Sequence, residues 1–206
     1  MTEEIALKNS KHMNDRYLTI GKSDWTKLTI KKSKFFSRAF CVNFRHDVKD
    51  LEEEIIKDHS SANHVVYAYR LRENSKIINY NTDAGEPARS SGPPILKVIK
   101  GIGLLNAGVF VVRYFGGTKL GIGGLIKAYT KSAQLAIENA SIIKKINFEA
   151  IKLRTDYENL GTILGKIEQH NGNIENIEYG KNIEIEFKIT KSNLDKLKKD
   201  EEINLD

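Results

Sequence analysis

Two short segments hold most of the residues whose types and spacing could do chemistry. Thr82–Gly92 reads "TDAGEPARSSG" and Arg113–Gly124 reads "RYFGGTKLGIGG". In the first, Asp83 and Glu86 could bind Mg²⁺ together with phosphate oxygens, or act as an acid–base pair. The plainer alternative is a turn in which Asp83 bonds its own backbone and Glu86 is solvated. With no third carboxylate or histidine beside them in the sequence, the residues favour the turn. In the second segment, Gly116, Gly117, Gly121, Gly123 and Gly124 would let backbone N–H groups approach an anion, at a helix starting near Gly121. Arg113 and Lys119 would add charge-assisted contacts, and Tyr114 could stack on a base. The same glycines also suit positive-φ turns and close helix–strand packing.

Standard fingerprints do not fit. The P-loop needs G-x-x-x-x-G-K-[ST] and the dinucleotide fold needs G-x-G-x-x-G, and neither frame occurs around Lys119 or Gly121–Gly124. Ser90 and Ser91 lack a G-x-S-x-G setting. The single cysteine, Cys41, falls in an alternating β segment, and the five histidines show no metal-ligand spacing. His64, ahead of "VVYAYR", is read as structural. No catalytic residue, metal site or cofactor emerges, and an enzyme is the less favoured class.

Charge is more informative. Between Pro87 and Ile137 there is no acid, while Arg89, Lys97, Lys100, Arg113, Lys119, Lys127 and Lys131 supply bases. Residues 1–146 hold 24 Lys+Arg against 14 Asp+Glu, and residues 147–206 hold 9 against 13. The change of sign marks a domain boundary, and the basic part suits a polyanion or an acidic partner.

These residues need elements to hold them. "WTKLTIKKSKFFSRAFCVNF" reads as two β segments broken near Lys31–Ser33, with Trp25, Leu28 and Ile30 as the first apolar set. "HDVKDLEEEIIKDH" has helical spacing, and "HVVYAYRL" and "KIINYN" are strands about a polar "RENS" turn. Prolines open a helix at "PPILKVIKG", which Gly101 would end. "AGVFVVRYF" is a buried strand. From Gly121, the residues Ile122, Leu125, Ile126, Tyr129, Ala133, Ala136 and Ile137 form a helical stripe opposite Lys127 and Lys131. In the tail, "FEAIKLR" is a strand, Thr155 and Glu158 have capping-box spacing, and "NIENIEYGKNIEIEFKI" is a hairpin before a short helix. This gives a β-α-β-β-α unit. The expected organisation is a polar leader over 1–16, an α+β domain over 17–146 and a small α+β domain over 147–206. No apolar run reaches the ~20 residues of a membrane span. The polar N-terminus and lone cysteine point to the cytoplasm.

The string "TDAGEP…SGPPILKVIKG…VFVVRYFGGTKLGIGGLIKAY" resembles the core signature of the IMPACT/YigZ family, as do "KKSKFFSRAF" and "NHVVYAYR" upstream. The resemblance covers roughly residues 20–140, and the acidic remainder is similar to the C-terminal domain of the bacterial branch. It implies an N-terminal domain of the kind found in a small-subunit ribosomal protein and elongation factor G, followed by a ferredoxin-like domain. Eukaryotic members regulate translation by binding the large activator of the amino-acid-starvation kinase; for the bacterial branch, nucleic-acid or ribosome association is implied. The chain departs from the usual "DDGEP" at Ala84 and from the usual "GTAG"-like stretch at Ser90-Ser91-Gly92, which weakens a metal-dependent or catalytic version of the loop. The resulting expectation is a non-enzymatic, translation-associated protein binding RNA, the ribosome or an acidic protein, without DNA sequence specificity. The face would comprise Asp83, Gly85, Glu86, Arg113, Tyr114, Gly116, Gly117, Lys119, Gly121, Gly123, Gly124, Lys127 and Lys131. The alternative is an enzyme or binder acting on a phosphorylated or nucleotide ligand at the Asp83/Glu86–Arg113/Lys119 cleft.

Overall fold

The computed structural model describes residues 15–73 and 76–199. Residues 1–14 of the expected leader and part of the "RENS" turn lie outside them. The chain divides into two compact α+β units, Leu18–Lys144 and a second that joins Lys145 onward to the residues before Leu18. Asp15 belongs with the second unit: its carbonyl accepts from Asn147 N–H at 2.7 Å, and its carboxylate takes the Ser192 N–H at 3.0 Å and the Ser192 hydroxyl.

The larger unit is built on a five-stranded sheet, in which every neighbouring pair runs antiparallel, with the order β2-β3-β6-β4-β5. The strands are β2 (Thr26–Ile30), β3 (Ser33–Cys41), β4 (His64–Glu73), β5 (Lys76–Thr82) and β6 (Ala107–Tyr114). β6 is central, which explains its unbroken apolar run: both of its faces are covered. Alternation assigns Phe35, Ala39, Val66, Ala68, Val109 and Val111 to one face, under helices α2 (Gly92–Ile102) and α3 (Gly121–Glu138). Tyr67, Tyr69, Leu71, Phe110 and Val112 take the other face, with Val48 and Ile55 of α1 (Arg45–Asp58) packed on them.

Local chemistry sets the element ends. Lys31 and Lys32 both have positive φ, 45° and 65°, giving the tight β2–β3 turn foreseen at that break. Pro93 and Pro94 sit in the first turn of α2, where their missing N–H costs nothing, but the helix outlasts Gly101 and ends at Gly103, which has φ 76°. Two further strands, β1 (Arg16–Ile20) and β7 (Ile142–Ile146), pair with each other; neither stood out in the sequence.

The smaller unit runs β8 (Phe148–Thr155), α4 (Leu160–Gln169), β9 (Asn173–Tyr179), β10 (Ile183–Thr190) and α5 (Lys191–Leu197), with sheet order β8-β10-β9. Ile183, Ile185, Phe187 and Ile189 are all buried, as their alternation predicts. Glu184 and Glu186 on the wet face pair with Arg154 and Lys152. The expected capping box does not form. Thr155 ends β8, and Asp156 instead accepts the Asn159 N–H at 2.8 Å, so the helix starts at Leu160 and Tyr157 stays exposed.

Candidate functional site

The two chemistry-bearing segments meet, and their charges are spent largely on each other. Arg113, near the end of β6, is only 5% exposed, and Glu86, in the loop before α2, is 7% exposed. Arg113 Nη1 donates to both Glu86 oxygens, at 2.6 and 2.8 Å. Tyr129, in the middle of α3, donates its hydroxyl to Glu86 Oε1 at 2.6 Å. Burial, reinforced by the Glu86 carboxylate, pushes the Tyr129 phenol far above its ordinary range, so it remains a neutral donor. His64, on β4, anchors the loop through Nδ1 to the Ala84 carbonyl at 2.8 Å and has Nε2 3.9 Å from Glu86. The histidine absent from the local sequence is thus supplied by a strand.

The Asp83 carbonyl closes a turn with the Glu86 N–H at 2.9 Å, as the plain reading had it, but the side chain reaches further along the loop. Oδ1 accepts from Ser91 N–H at 3.0 Å, Gly92 N–H at 2.9 Å and the Ser91 hydroxyl at 2.7 Å, and Oδ2 accepts from Arg89 N–H at 2.7 Å. Asp83 therefore caps α2 from a distance, with its charge at the positive end of the helix. Burial raises its pKa, but the Ser91 hydroxyl and the Gly92, Arg89 and Ser91 N–H groups together hold the carboxyl below the ordinary value. Nor is Glu86 solvated. The loop is strained at two places, since Ala84 has φ 45° and Arg89 φ 62°.

The glycines have separate reasons. A Cβ on Gly116 would stand 2.1 Å from Lys32 C, 2.2 Å from Ser33 N and 2.4 Å from Lys32 O, so the joint lies directly on the β2–β3 turn. Gly116→Ala is expected to cost about 1–3 kcal/mol or more by overpacking against backbone that cannot rotate away. A Cβ on Gly123 would meet nothing within 4 Å, and Gly123→Ala should leave stability unchanged or raise it by up to about 1 kcal/mol. Thermal unfolding of the two variants checks the contrast. Gly117 and Gly121 have φ 83° and 71°, and Gly85 has φ 84° against the His64 ring.

Beside the buried pair is a cleft of about 350 Å³. Pro87, Phe115, Leu120, Ile122 and Leu125 line it, with Glu86, Arg113, Lys119 and Gly121. The expected apolar stripe of α3 is corrected here: Ile122 is 59% exposed and Ile126 is also exposed, and the face that packs runs instead through Leu125, Ala128, Tyr129, Ser132 and Ala136. Lys119, Lys127 and Lys131 are exposed, and Gly124 lies in the first turn of α3. Arg113, expected as a surface base, is internal. Its guanidinium is covered by the Phe35 and Phe115 rings, with Cζ 5.5 and 5.6 Å from their centroids. Tyr114 turns to the opposite sheet face, its hydroxyl 2.8 Å from His59 Nδ1. Among the described residues, no three His, Cys, Asp or Glu groups converge as a metal site.

The Impact N-terminal domain model matches residues 31–137, more than half the chain and the whole of this site. The chain belongs to the IMPACT family. A second match, to a domain of unknown function (DUF1949), covers residues 153–200. IMPACT family member YvyE of Bacillus subtilis is 32% identical over 82% of this chain and 78% of its own length. IMPACT family member YigZ of Escherichia coli is 31% identical over 73% and 74%. A crystal structure of a hypothetical protein matches 89% of both chains with TM-score 0.71 and 25% identity, in keeping with the two-domain α+β fold. The resemblance carried by the Asp83–Tyr129 residues therefore extends to the fold of both domains. No helix of the described IMPACT chain is long and apolar enough to cross a membrane.

Proposed function

We propose that this protein is a non-enzymatic, translation-associated binding protein that engages RNA on the layer formed by α2 and α3. The observation that supports this reading most directly is the contrast in charge between the α2–α3 layer and α1. The acid-free segment after Pro87 supplies the helix layer on one face, where Lys97, Lys100, Lys127 and Lys131 are all exposed and Lys119 stands at the joint. On the opposite face, α1 carries Asp47, Asp50, Glu52, Glu53, Glu54 and Asp58. A polyanion approaching such a domain is repelled from α1 and drawn to the acid-free segments. The family resemblance supplies the expectation of a role in translation.

Binding is expected to weaken steeply with salt, and Lys119→Glu with Lys127→Glu to reduce affinity for a labelled RNA about 10- to 100-fold near 0.1 M salt. Unchanged affinity would remove the helix layer as the contact. Pull-down with and without nuclease treatment separates RNA from an acidic protein partner.

The cleft beside Arg113 favours a second reading, a binder of a phosphorylated ligand with Lys119 at its rim. Against it, Glu86 and Arg113 neutralise each other and Asp83 is saturated with donors, so neither carboxylate is free as a base or metal ligand. Stabilisation of the protein by a phosphate ester, with or without Mg²⁺, in a thermal-shift measurement would support that reading instead.

A further inference from the structure

We propose that the part of the sheet's opposite face formed by β2 and β3 is a stacking platform for single-stranded RNA, centred on Trp25. The proposal rests on the RNA reading above and names where bases, as distinct from phosphates, are held.

Five rings form an unbroken chain on this face. Trp25 meets Phe40 edge-on at 6.2 Å and His59 at 5.4 Å; His59 lies 6.0 Å from Phe36, which meets Tyr114 at 5.8 Å. Trp25 is held between two of these rings yet remains 37% exposed. The sequence had grouped it with Leu28 and Ile30, but it stands outside the core those residues join. The neighbouring helix α1 packs on Tyr67, Tyr69 and Phe110 in a core that Phe36, Phe40 and Tyr114 border, so Trp25 is the ring of these five left exposed.

Cations are laid on the rings. Lys27 Nζ lies 5.6 Å from the centre of Phe36, and Arg38 Cζ 4.9 Å from that of Phe40. Arg38 Nε is buried with no hydrogen-bond partner among the described residues. Lys34, on the same face by strand alternation, is exposed. Residues 25–46 contain no acid, while Lys27, Lys31, Lys32, Lys34 and Arg38 supply bases; Arg45 is paired with Glu73, and Asp24, Asp47 and Asp58 stand at the margins.

An exposed ring flanked by half-buried rings, with bases beside it and no acid from Trp25 to His46, matches the chemistry of an unpaired strand. Bases stack on rings whatever their identity, and the phosphates between them need cations. A duplex offers the phosphates but keeps its bases stacked inside. The β2–β3 turn, at Lys31 and Lys32, lies against Gly116, so a strand leaving the platform reaches the glycine-rich joint and Lys119.

Trp25 is the only tryptophan in the chain, so its emission reports on this place alone. The test titrates the full-length protein at low salt with an oligo(U) or oligo(A) of about 12 nucleotides. Saturable quenching is expected, with Trp25→Ala weakening binding about tenfold and Trp25→Phe retaining most of it. Lys27→Ala with Arg38→Ala should flatten the salt dependence. The platform is overturned if oligonucleotide binds without changing Trp25 emission and with full affinity in Trp25→Ala. It is equally overturned if an RNA duplex or dextran sulfate quenches as strongly as the single strand. Loss of binding in Lys119→Glu/Lys127→Glu alone, with Trp25 variants unaffected, leaves the helix layer standing and removes the platform. Loss in Trp25→Ala alone does the reverse, and no RNA binding by the wild-type protein removes both.

Discussion

Replacing Glu86 by alanine is expected to lower the free energy of unfolding by about 3–5 kcal/mol, the usual cost of removing one partner of a buried ion pair. The guanidinium of Arg113 would remain in a dry site with its main acceptor gone, and the Tyr129 hydroxyl would lose its acceptor as well. Coulombic attraction between the two charges is not itself the source of this figure, because desolvating both offsets most of it. What costs is the stranded cation. The double variant Glu86→Ala with Arg113→Met should therefore recover much of the loss, since it removes both charges and leaves an apolar chain between Phe35 and Phe115. Urea denaturation, with comparable m-values across the set, checks this. A single variant costing less than about 1 kcal/mol, or a double variant no better than the single, would mean that the pair is not what holds loop to strand.

For Asp83→Ala the expected loss is about 2–4 kcal/mol near neutral pH, from charge-assisted hydrogen bonds to three backbone N–H groups and one hydroxyl at a helix start. This loss depends on pH with a definite sign. The folded-state pKa lies below that of an unfolded aspartate, near 3.9. The stabilisation is therefore complete above about pH 4–5, and it disappears as pH falls through the folded value. Wild type and Asp83→Ala should differ most in stability at pH 6–7 and converge on acidification. A difference that is constant down to low pH would show that ionisation of Asp83 contributes nothing. Asp83→Asn separates the effects further, because its amide must turn a donor toward either the Arg89 or the Ser91–Gly92 N–H groups.

Both predictions treat the acidic loop of this chain as a structural fastener: Asp83 fixes the start of α2, and Glu86 ties the loop to β6 and α3. Lys119 and the first turn of α3 can be presented together only if the loop, the strand and the β2–β3 turn stay in register. Destabilising Glu86 should therefore also weaken any ligand held at the joint, without Glu86 having touched it.

Much of this was legible in the residues. Alternation along β10, the apolar run of β6, prolines at the start of α2 and the acid-free stretch after Pro87 each follow from local periodicity or composition, and local patterns survive folding. The family signature was legible for the same reason, being a contiguous string. The errors have a common cause. Thr155 had capping-box spacing, but the strand β8 claimed it. Ile122 and Ile126 had core spacing, but the buried face of α3 runs through Leu125, Ala128 and Ser132. Trp25 had the hydropathy of a core residue, yet lies beside the covered part of its face. In each, the pattern was present and its partner was elsewhere.

By itself, the sequence determined the α+β class, the break in character near residue 146, the family, and the two basic, acid-free segments. Only the tertiary structure decided which charges are free. Arg113, Glu86 and Asp83 looked like chemistry because charged residues near glycines usually do, but ionisable groups distant in sequence find one another when a sheet brings them together. Arg113 lies 27 positions beyond Glu86 in sequence and Tyr129 lies 43 beyond it, while His64 arrives from a different strand. Whether a charge faces water or a counter-charge is a property of the space around it, and no spacing along one chain encodes that directly.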